Sequence, residues 1–202
     1  MAETGMTTAP LLGEPIPIEL MNTIWADRDG VHDSLRTSAD VMGWLRAVGD
    51  RLSSGGAVRR PAPGLIAEFR DLRDALRRLA AVATDDPRPA AESPVPGLAA
   101  AVTIVNRACA TAPTWSELAW SGRNDPRRKV RSAGTSPEIA LSTIAEQAVT
   151  LFVGPDRAEL RACHAPGCVL YFRHDHPRRE WCSAGCGNRA RVARHYQRHR
   201  NS

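Results

Sequence analysis

Four cysteines near the C-terminus constrain the fold of this chain more than any other feature of its sequence. Cys163 and Cys168 form one close pair, and Cys182 and Cys186 form a second pair after a spacer of 13 residues. Two short-range thiolate pairs suit a tetrahedral Zn²⁺ site, because each pair can hold the ion from one tight turn. All four ligand positions are filled by protein, so no position is left for a reactive water. We therefore predict one structural zinc ion bound by these four cysteines.

Other nearby side chains could in principle bind the metal. His164, His174 and His176 lie close to the cysteines in sequence, and imidazole is the other common zinc ligand. We interpret them as bystanders beside a complete four-cysteine set, with replacement of one cysteine by a histidine as the alternative. The fifth cysteine, Cys109, lies on the apolar face of a predicted helix, which favours a buried hydrophobic role.

Positive charge is concentrated in the same C-terminal segment. From Cys163 onward the chain carries eight arginines and two acids, whereas the first 162 residues carry 19 basic and 20 acidic residues. A near-neutral body with a cationic end indicates a polyanionic partner, most simply nucleic acid.

The residues that follow the last cysteine predict a basic helix from Gly187 to Arg200. Arginine suits a nucleic-acid contact, because its planar guanidinium matches both phosphate and the edge of guanine. The residues predicted to contact nucleic acid are Asn188 and Arg189 at the helix start, and Arg191, Arg194 and Arg198 along one face at i, i+3, i+7 spacing. The residues expected to pack on the zinc module from another face are Val192, Tyr196 and His199.

Apolar periodicity upstream predicts a mostly helical domain. Helices are predicted at about 38–48, 63–83, 95–110 and 136–152, with Ser38 and Ser136 as N-caps. In the 63–83 helix, the charged residues, including Arg77, are expected to lie largely away from the apolar face. Proline- and glycine-rich stretches, such as residues 53–64, predict flexible connections.

Residues 114–134 lose the helical period and carry turn residues at their centre, which predicts a β-hairpin. Its basic stretch, Arg127, Arg128, Lys129 and Arg131, is interpreted as a solvated strand, with auxiliary phosphate contact as the alternative. A second small hairpin is expected in the zinc module, between residues 169–172 and residues 179–181.

The predicted fold class is mainly α with a small β-hairpin (α+β). A helical N-terminal domain precedes a C-terminal treble-clef-like zinc-finger module, in which a knuckle, a hairpin and a helix surround the metal. The predicted domains are a poorly ordered arm at 1–13, a helical domain at 14–156 and a zinc finger with a basic helix at 157–202.

The string from Trp181 to Arg189, WCSAGCGNR, resembles the CGNR zinc finger, which is named for its last four residues. The Cys163–Cys168 pair and the apolar residues after it also match that pattern. Upstream, Glu19, Asn22, Thr23 and the segment LRDALR at 72–77 resemble the ABATE domain, the usual partner of this finger. The resemblance implies a bacterial, stress-induced transcription regulator that binds DNA.

Two further functional expectations follow. The helical domain is expected to sense a small-molecule effector or to form a homodimer, which would strengthen binding by a single small finger. Asn22 and the tryptophans of this domain are interpreted as core packing and loop hydrogen bonding. The alternative is a ligand pocket lined by Asn22, Trp25 and Trp44, with Trp115 and Trp120 as further candidates.

The leading interpretation is a DNA-binding regulator, and the alternative is a protein- or RNA-binding adaptor that uses the finger as a docking surface. An enzyme is not expected, because no hydrolase, metalloprotease, P-loop or dinucleotide motif is present. The chain has no apolar run of eighteen residues and no secretory signal pattern, so we expect a cytoplasmic, nucleoid-associated protein without membrane contact.

Overall fold

A computed structural model describes residues 9–52 and 63–200 of the chain. The helices in these ranges are α1 (Ile16–Met21), α2 (Ser38–Val48), α3 (Pro63–Ala83), α4 (Leu98–Cys109), α5 (Ser136–Val153) and α6 (Ala184–Arg200). The strands are β1 (Ile24–Ala26), β2 (Val31–Asp33), β3 (Thr114–Ala119), β4 (Arg127–Ser132), β5 (Leu160–Ala162) and β6 (Tyr171–Arg173), which pair consecutively into three antiparallel two-stranded sheets. The predicted fold class, mainly helical with small hairpins, is confirmed. No helix in the described ranges is both long and apolar enough to cross a membrane.

The predicted helices are present, but in two of them the N-cap lies one residue earlier than predicted. Thr37 caps α2 and Thr135 caps α5, so the prediction of Ser38 and Ser136 was wrong. In each case the acid at the third helical position bonds back to the cap backbone, and this reciprocal capping box decides which residue caps. Helix α4 begins at Leu98 rather than 95, since a residue that precedes a proline, as Val95 does, is disfavoured in helical geometry.

The main hydrophobic core surrounds the short helix α1. Every residue of α1 is buried, and α3 and α5 both pack against it. Helices α3, α4 and α5 pack on one another to complete the helical body. A second, smaller core is formed in the zinc module by the four clustered cysteines with Ala165, Leu170 and Phe172.

Strand β6 joins the two cores. Tyr171 points into the main core, whereas Leu170 and Phe172 on either side of it belong to the zinc-module core. This division follows from the two-residue alternation of a strand. The expected pairing of residues 169–172 with residues 179–181 was wrong, because β6 pairs with β5 instead. The short β5, with only three residues, gave too little periodicity for a strand to be predicted there.

The described part of the predicted N-terminal arm is packed against the protein. Ala9 is buried, and Leu12 contacts the zinc-module core. The backbone N–H groups of Leu12 and Glu14 both donate to the Glu19 carboxylate. Residues 1–8 of the predicted arm and residues 53–62 of the predicted flexible connection lie outside the described residues.

Candidate zinc centre and nucleic-acid interface

The four predicted ligands meet at one buried point. Cys163 and Cys168 flank the loop between β5 and β6, Cys182 precedes α6, and Cys186 lies in its first turn. Their Sγ atoms all lie within 4.8 Å of one another. The loop of the first pair turns at Gly167, whose φ of +71° is a left-handed conformation that favours glycine. The cluster contains no histidine, so the four-cysteine set is the one that the described structure brings together.

The chemistry of this donor set fits a divalent cation. Hydrogen bonds with the other three cysteines lower the pKa of Cys186, whereas hydrogen bonds of Cys182 with its own three cysteine neighbours raise the pKa of Cys182. The shifts run in opposite directions because four thiolates cannot share one buried site without a compensating positive charge. A bound Zn²⁺ would supply that charge, and four cysteines are a common ligand set of structural zinc sites. Together with the zinc-finger match described below, this cluster gives the protein one structural zinc site.

Helix α6 is held at its start by residues beside the second cysteine pair. The Ser183 side chain accepts a hydrogen bond from the Cys186 N–H (3.3 Å), so Ser183 acts as N-cap and α6 begins at Ala184 rather than at the predicted Gly187. Cys186 therefore lies where the helix dipole favours a thiolate. A Cβ on Gly187 would lie 3.1 Å from the Trp181 ring, so glycine permits this close packing.

Arg189 contacts a cysteine sulfur rather than standing free at the helix start. Its guanidinium donates to Cys186 Sγ at 3.0 Å. Burial alone would lower the pKa of Arg189, but the charge of Cys186 keeps it above its usual value. A positive group at this sulfur stabilises its thiolate form. Asn188 is exposed beside it.

Beyond its first two turns, α6 extends from the protein without a buried face. Cys186 and Ala190 are the buried residues of α6, and none from 191 to 200 is buried. The predicted packing of Val192, Tyr196 and His199 on the zinc module was therefore wrong. Val192 is 46% exposed and Tyr196 is 66% exposed, so what was interpreted as an inward face points to solvent.

The predicted arginine row lies on this projecting segment. Arg191, Arg194 and Arg198 are all exposed. Helix α6 carries five arginines and no acid, so its surface is strongly cationic. The ten residues from 191 to 200 form a projecting segment about 15 Å long, which exceeds the roughly 12 Å width of the major groove.

The backbone of the zinc loop is held by a cation of the helical body. The Arg88 guanidinium donates to the carbonyl oxygens of Cys163 (2.7 Å) and Cys168 (2.9 Å). Asp86 holds Arg88 through a 2.7 Å ion pair and also accepts from the Tyr171 hydroxyl at 2.7 Å. Burial and the bond to Asp86 raise the pKa of Tyr171 to about 12, which keeps this phenol protonated as the donor.

Two further body residues hold the zinc module, and the sequence pattern identified neither role. Asn22 donates to the Tyr171 carbonyl and accepts from the Tyr171 N–H, both at 2.9 Å, in the manner of a neighbouring strand. Arg77 is 2% exposed and donates to the carbonyl oxygens of Met21 (3.0 Å) and Val169 (3.3 Å). The prediction that Arg77 lies away from the apolar face was wrong, because backbone carbonyls satisfy its donors inside the protein.

Glu14 makes a third connection from the body. Its carboxylate accepts from the Arg173 N–H at 3.0 Å and pairs with Arg179. The zinc module is therefore attached through several buried polar contacts, rather than only through its covalent connection to α5.

The predicted ligand-pocket residues serve other contacts. Both polar atoms of the Asn22 amide bond the Tyr171 backbone, and the Trp25 indole N–H donates to Ser34 Oγ at 2.9 Å. Trp44 is buried in the main core, as its packing interpretation expects. Trp115 and Trp120 are 53% and 65% exposed, so core packing was the wrong interpretation for both.

An apolar cavity lies elsewhere, between α3, α4 and α5. It has a volume of 370 Å³, and Asn106 and Arg157 are its polar lining residues. Exposed aliphatic side chains surround it, namely Val82, Leu98, Val102, Val149 and Val153.

Comparison with known protein families accounts for nearly the whole chain. Residues 14–155 match the ABATE family, described as "Putative stress-induced transcription regulator". Residues 159–199 match the CGNR zinc finger. Neither match is to an enzyme family. No curated protein matches the chain.

Proposed function

Because the chain belongs to the ABATE family and ends in a CGNR zinc finger, we propose that it is a transcription regulator that binds DNA through α6. The observation that carries this proposal is the projecting half of α6, which has arginines, no acid and no buried face. This surface makes little contact with the protein's own core. Its arginines can instead neutralise phosphates and release counterions from a DNA backbone. A regulator of this kind would act on nucleoid DNA in the cytoplasm.

The zinc centre supports this proposal by positioning the helix. Cys186 and Ser183 fix the first turn of α6, and the Trp181 ring packs against Gly187. In the proposed mechanism, Zn²⁺ supplies the cross-link that holds these segments together. The protein residues then present the arginine row at a constant angle, either to phosphates or to base edges in the major groove.

The test compares DNA binding by the zinc-loaded protein and two variants. Genomic DNA fragments are selected with wild type, and affinity is measured by fluorescence anisotropy over a salt series. R191Q/R194Q is expected to lower the slope of log K against log salt by about 1.8, since each phosphate contact contributes about 0.9. The matched control, R36Q/R46Q, removes the same charge from exposed sites on the helical body and should leave the slope near wild type.

Two results would contradict the proposal. One is the absence of a shifted complex with zinc-loaded wild type on any fragment. The other is equal or tighter binding of duplex RNA, with the same loss in R191Q/R194Q, which would assign α6 to RNA.

For the helical body we propose that it joins two copies of the chain. The exposed aliphatic side chains around the apolar cavity support this, because contiguous apolar surface of this kind is typical of protein–protein contacts. A single short helix binds DNA weakly, and a dimer would bring two arginine rows to one duplex.

The dimer proposal is tested by sedimentation equilibrium. V82E/V153E places two charges on the exposed rim and should convert a dimer into a monomer, while T103E on the outer side of α4 serves as an exposed control. A monomeric wild type that binds octanoate at this cavity would instead assign it to a small amphipathic effector.

A further inference from the structure

The β3–β4 hairpin is a projecting ribbon that the helical body does not cover. Every residue of both strands is exposed or half-exposed. An isolated two-stranded ribbon has little stability of its own in water. The exposure of the ribbon therefore indicates that it contacts another molecule.

The base of this ribbon is held firmly. Ser142 of α5 is buried, accepts from the Ala112 N–H and donates to the Ala108 carbonyl, both at 2.9 Å. Across the ribbon base, Ser132 donates to the Pro113 carbonyl at 3.1 Å. The ribbon thus leaves the body from a fixed point at the N-terminal end of α5.

One face of the ribbon is cationic and carries an aromatic ring. Directly opposed residues share a face, and the register pairs Trp115 with Arg131, Glu117 with Lys129, and Ala119 with Arg127. Glu117 is taken up by a 2.7 Å ion pair with Arg131. Among the described residues, neither Arg127 nor Lys129 forms an ion pair within 4 Å, although Lys129 lies opposite Glu117 and its charge contributes to lowering the pKa of that carboxyl. Residues 114–132 as a whole carry five basic and two acidic side chains.

Protection of an open strand edge does not account for this composition. Charged residues on exposed strands do discourage edge-to-edge aggregation. That role gives no reason for Trp115 and Trp120 to be exposed on the same ribbon, since large apolar rings favour association. Cations interleaved with exposed aromatic rings are typical of surfaces that bind nucleic acid.

The attachment points of the ribbon and of the zinc module lie at opposite ends of α5, and their spacing suits two contacts on one duplex. A two-stranded ribbon is narrow enough to enter the major groove. The ribbon joins the N-terminal end of α5, and the segment leading to the zinc module joins its C-terminal end. With 18 residues, α5 separates these attachment points by about 27 Å, which is comparable to the roughly 34 Å of one turn of B-DNA.

We propose that the β3–β4 ribbon is a second DNA-contacting element, which lays Arg127 and Lys129 against phosphates of the duplex that α6 contacts. This rests on the proposed DNA-binding function and extends it to a different part of the fold. Trp115, on the same face, adds contact area beside those phosphates.

The experiment measures anisotropy with two duplexes that contain the same selected site, one of about 10 base pairs and one of about 25. R127Q/K129Q should weaken binding to the long duplex roughly tenfold at low salt and lower its salt slope by about 1.8. The short duplex cannot span both elements, so this variant should match wild type on it. R36Q/R46Q is the control that removes the same charge, and R191Q/R194Q removes the α6 contact. Circular dichroism and measurement of bound zinc confirm that each variant is folded.

The outcomes separate the two proposals. If R191Q/R194Q weakens binding but R127Q/K129Q equals wild type on the long duplex, the ribbon proposal is overturned and α6 remains the DNA contact. If R36Q/R46Q loses as much affinity for the long duplex as R127Q/K129Q does, the effect of the ribbon variant is explained by net charge alone and the ribbon proposal is also overturned. Loss of binding to poly-L-glutamate with unchanged DNA binding would assign the ribbon to acidic proteins. Wild type that binds no DNA would remove both proposals.

Discussion

At the scale of single residues, Arg189 contacts a sulfur of the zinc centre. Its guanidinium donates to Cys186 Sγ at 3.0 Å, although its place in a basic segment predicts a nucleic-acid contact. A donor at a metal-ligating sulfur stabilises the ligand in its charged form and fixes its orientation. Arg189 is thus positioned to support the zinc centre, and any phosphate contact would use its remaining donors.

We expect R189M to lower zinc affinity about tenfold, because methionine keeps an unbranched stem like that of arginine but removes the charged guanidinium and its donors. Competition with a chromophoric chelator measures this affinity directly. The control is R191M, which alters an exposed arginine two residues further along α6. Equal zinc affinities for the two variants would show that the sulfur contact contributes nothing to metal binding.

The four cysteines could be predicted as one site, because ligand spacing is local in sequence. The residues that hold the site in place could not be predicted in this way. Arg77 and Asn22 contact backbone carbonyls about 90 and 150 residues away in sequence (|i−j| of 92 and 149), and no periodicity records such a contact.

At the scale of secondary-structure elements, α5 depends on a reciprocal cap. The Thr135 N–H donates to the Glu138 carboxylate at 2.6 Å, and the Thr135 side chain accepts from the backbone of Glu138 in return. The backbone hydrogen bond from Thr135 is the main reason that the pKa of Glu138 lies below its usual value. The same end of α5 carries the ribbon, so this cap also sustains its base.

We expect E138Q to lower the free energy of unfolding by about 1 kcal/mol at pH 7. Because the folded-state pKa is depressed, the wild-type advantage is present above the unfolded pKa of about 4.3 and is lost as pH falls through the folded value. Urea unfolding at pH 7 and at pH 3 measures both limits. E92Q, at an exposed acid, is the control, and a wild-type advantage that persists at pH 3 would contradict the role of the charge.

The helices with a sustained apolar stripe, α2, α3 and α5, were predicted closely because burial repeats along them. In α6, the spacing of Val192 and Tyr196 predicts a buried face, but both residues are exposed because no other element of the described structure packs on the projecting half of this helix. Strand β5 was missed because a three-residue strand carries almost no pattern. Its pairing with β6 depends on the zinc loop that joins them.

At the scale of the whole molecule, the zinc module and the helical body form a continuous structure. Tyr171 of the module lies in the main core, and Leu12 of the N-terminal segment lies against the zinc-module core. Arg77 and Asn22 add buried hydrogen bonds between the two parts, and Arg88 adds half-buried ones. Folding of either part is therefore linked to that of the other.

We expect removal of zinc to destabilise the entire chain rather than the C-terminal module alone, because metal binding contributes directly to folding. Thermal unfolding followed by circular dichroism should show one transition with zinc and a lower midpoint after chelation. C186A should show the same lowered midpoint and bind no structural zinc, whereas C109A should retain one zinc per chain. A separate transition of the body with an unchanged midpoint would contradict this linkage.

The clamp formed by Arg77, Arg88 and Asn22 has a consequence for how a pair of these chains would measure DNA. These hydrogen bonds hold the zinc module in one orientation on the helical body. In a dimer that forms through the helical body, the protein would therefore fix both the distance between the two α6 helices and their relative rotation about the DNA axis. Such a dimer would bind two half-sites only at one spacing. Inserting about five base pairs between the half-sites would turn one of them to the far side of the duplex and abolish binding of both. Inserting about ten would return that half-site to the same side of the duplex but at a greater distance.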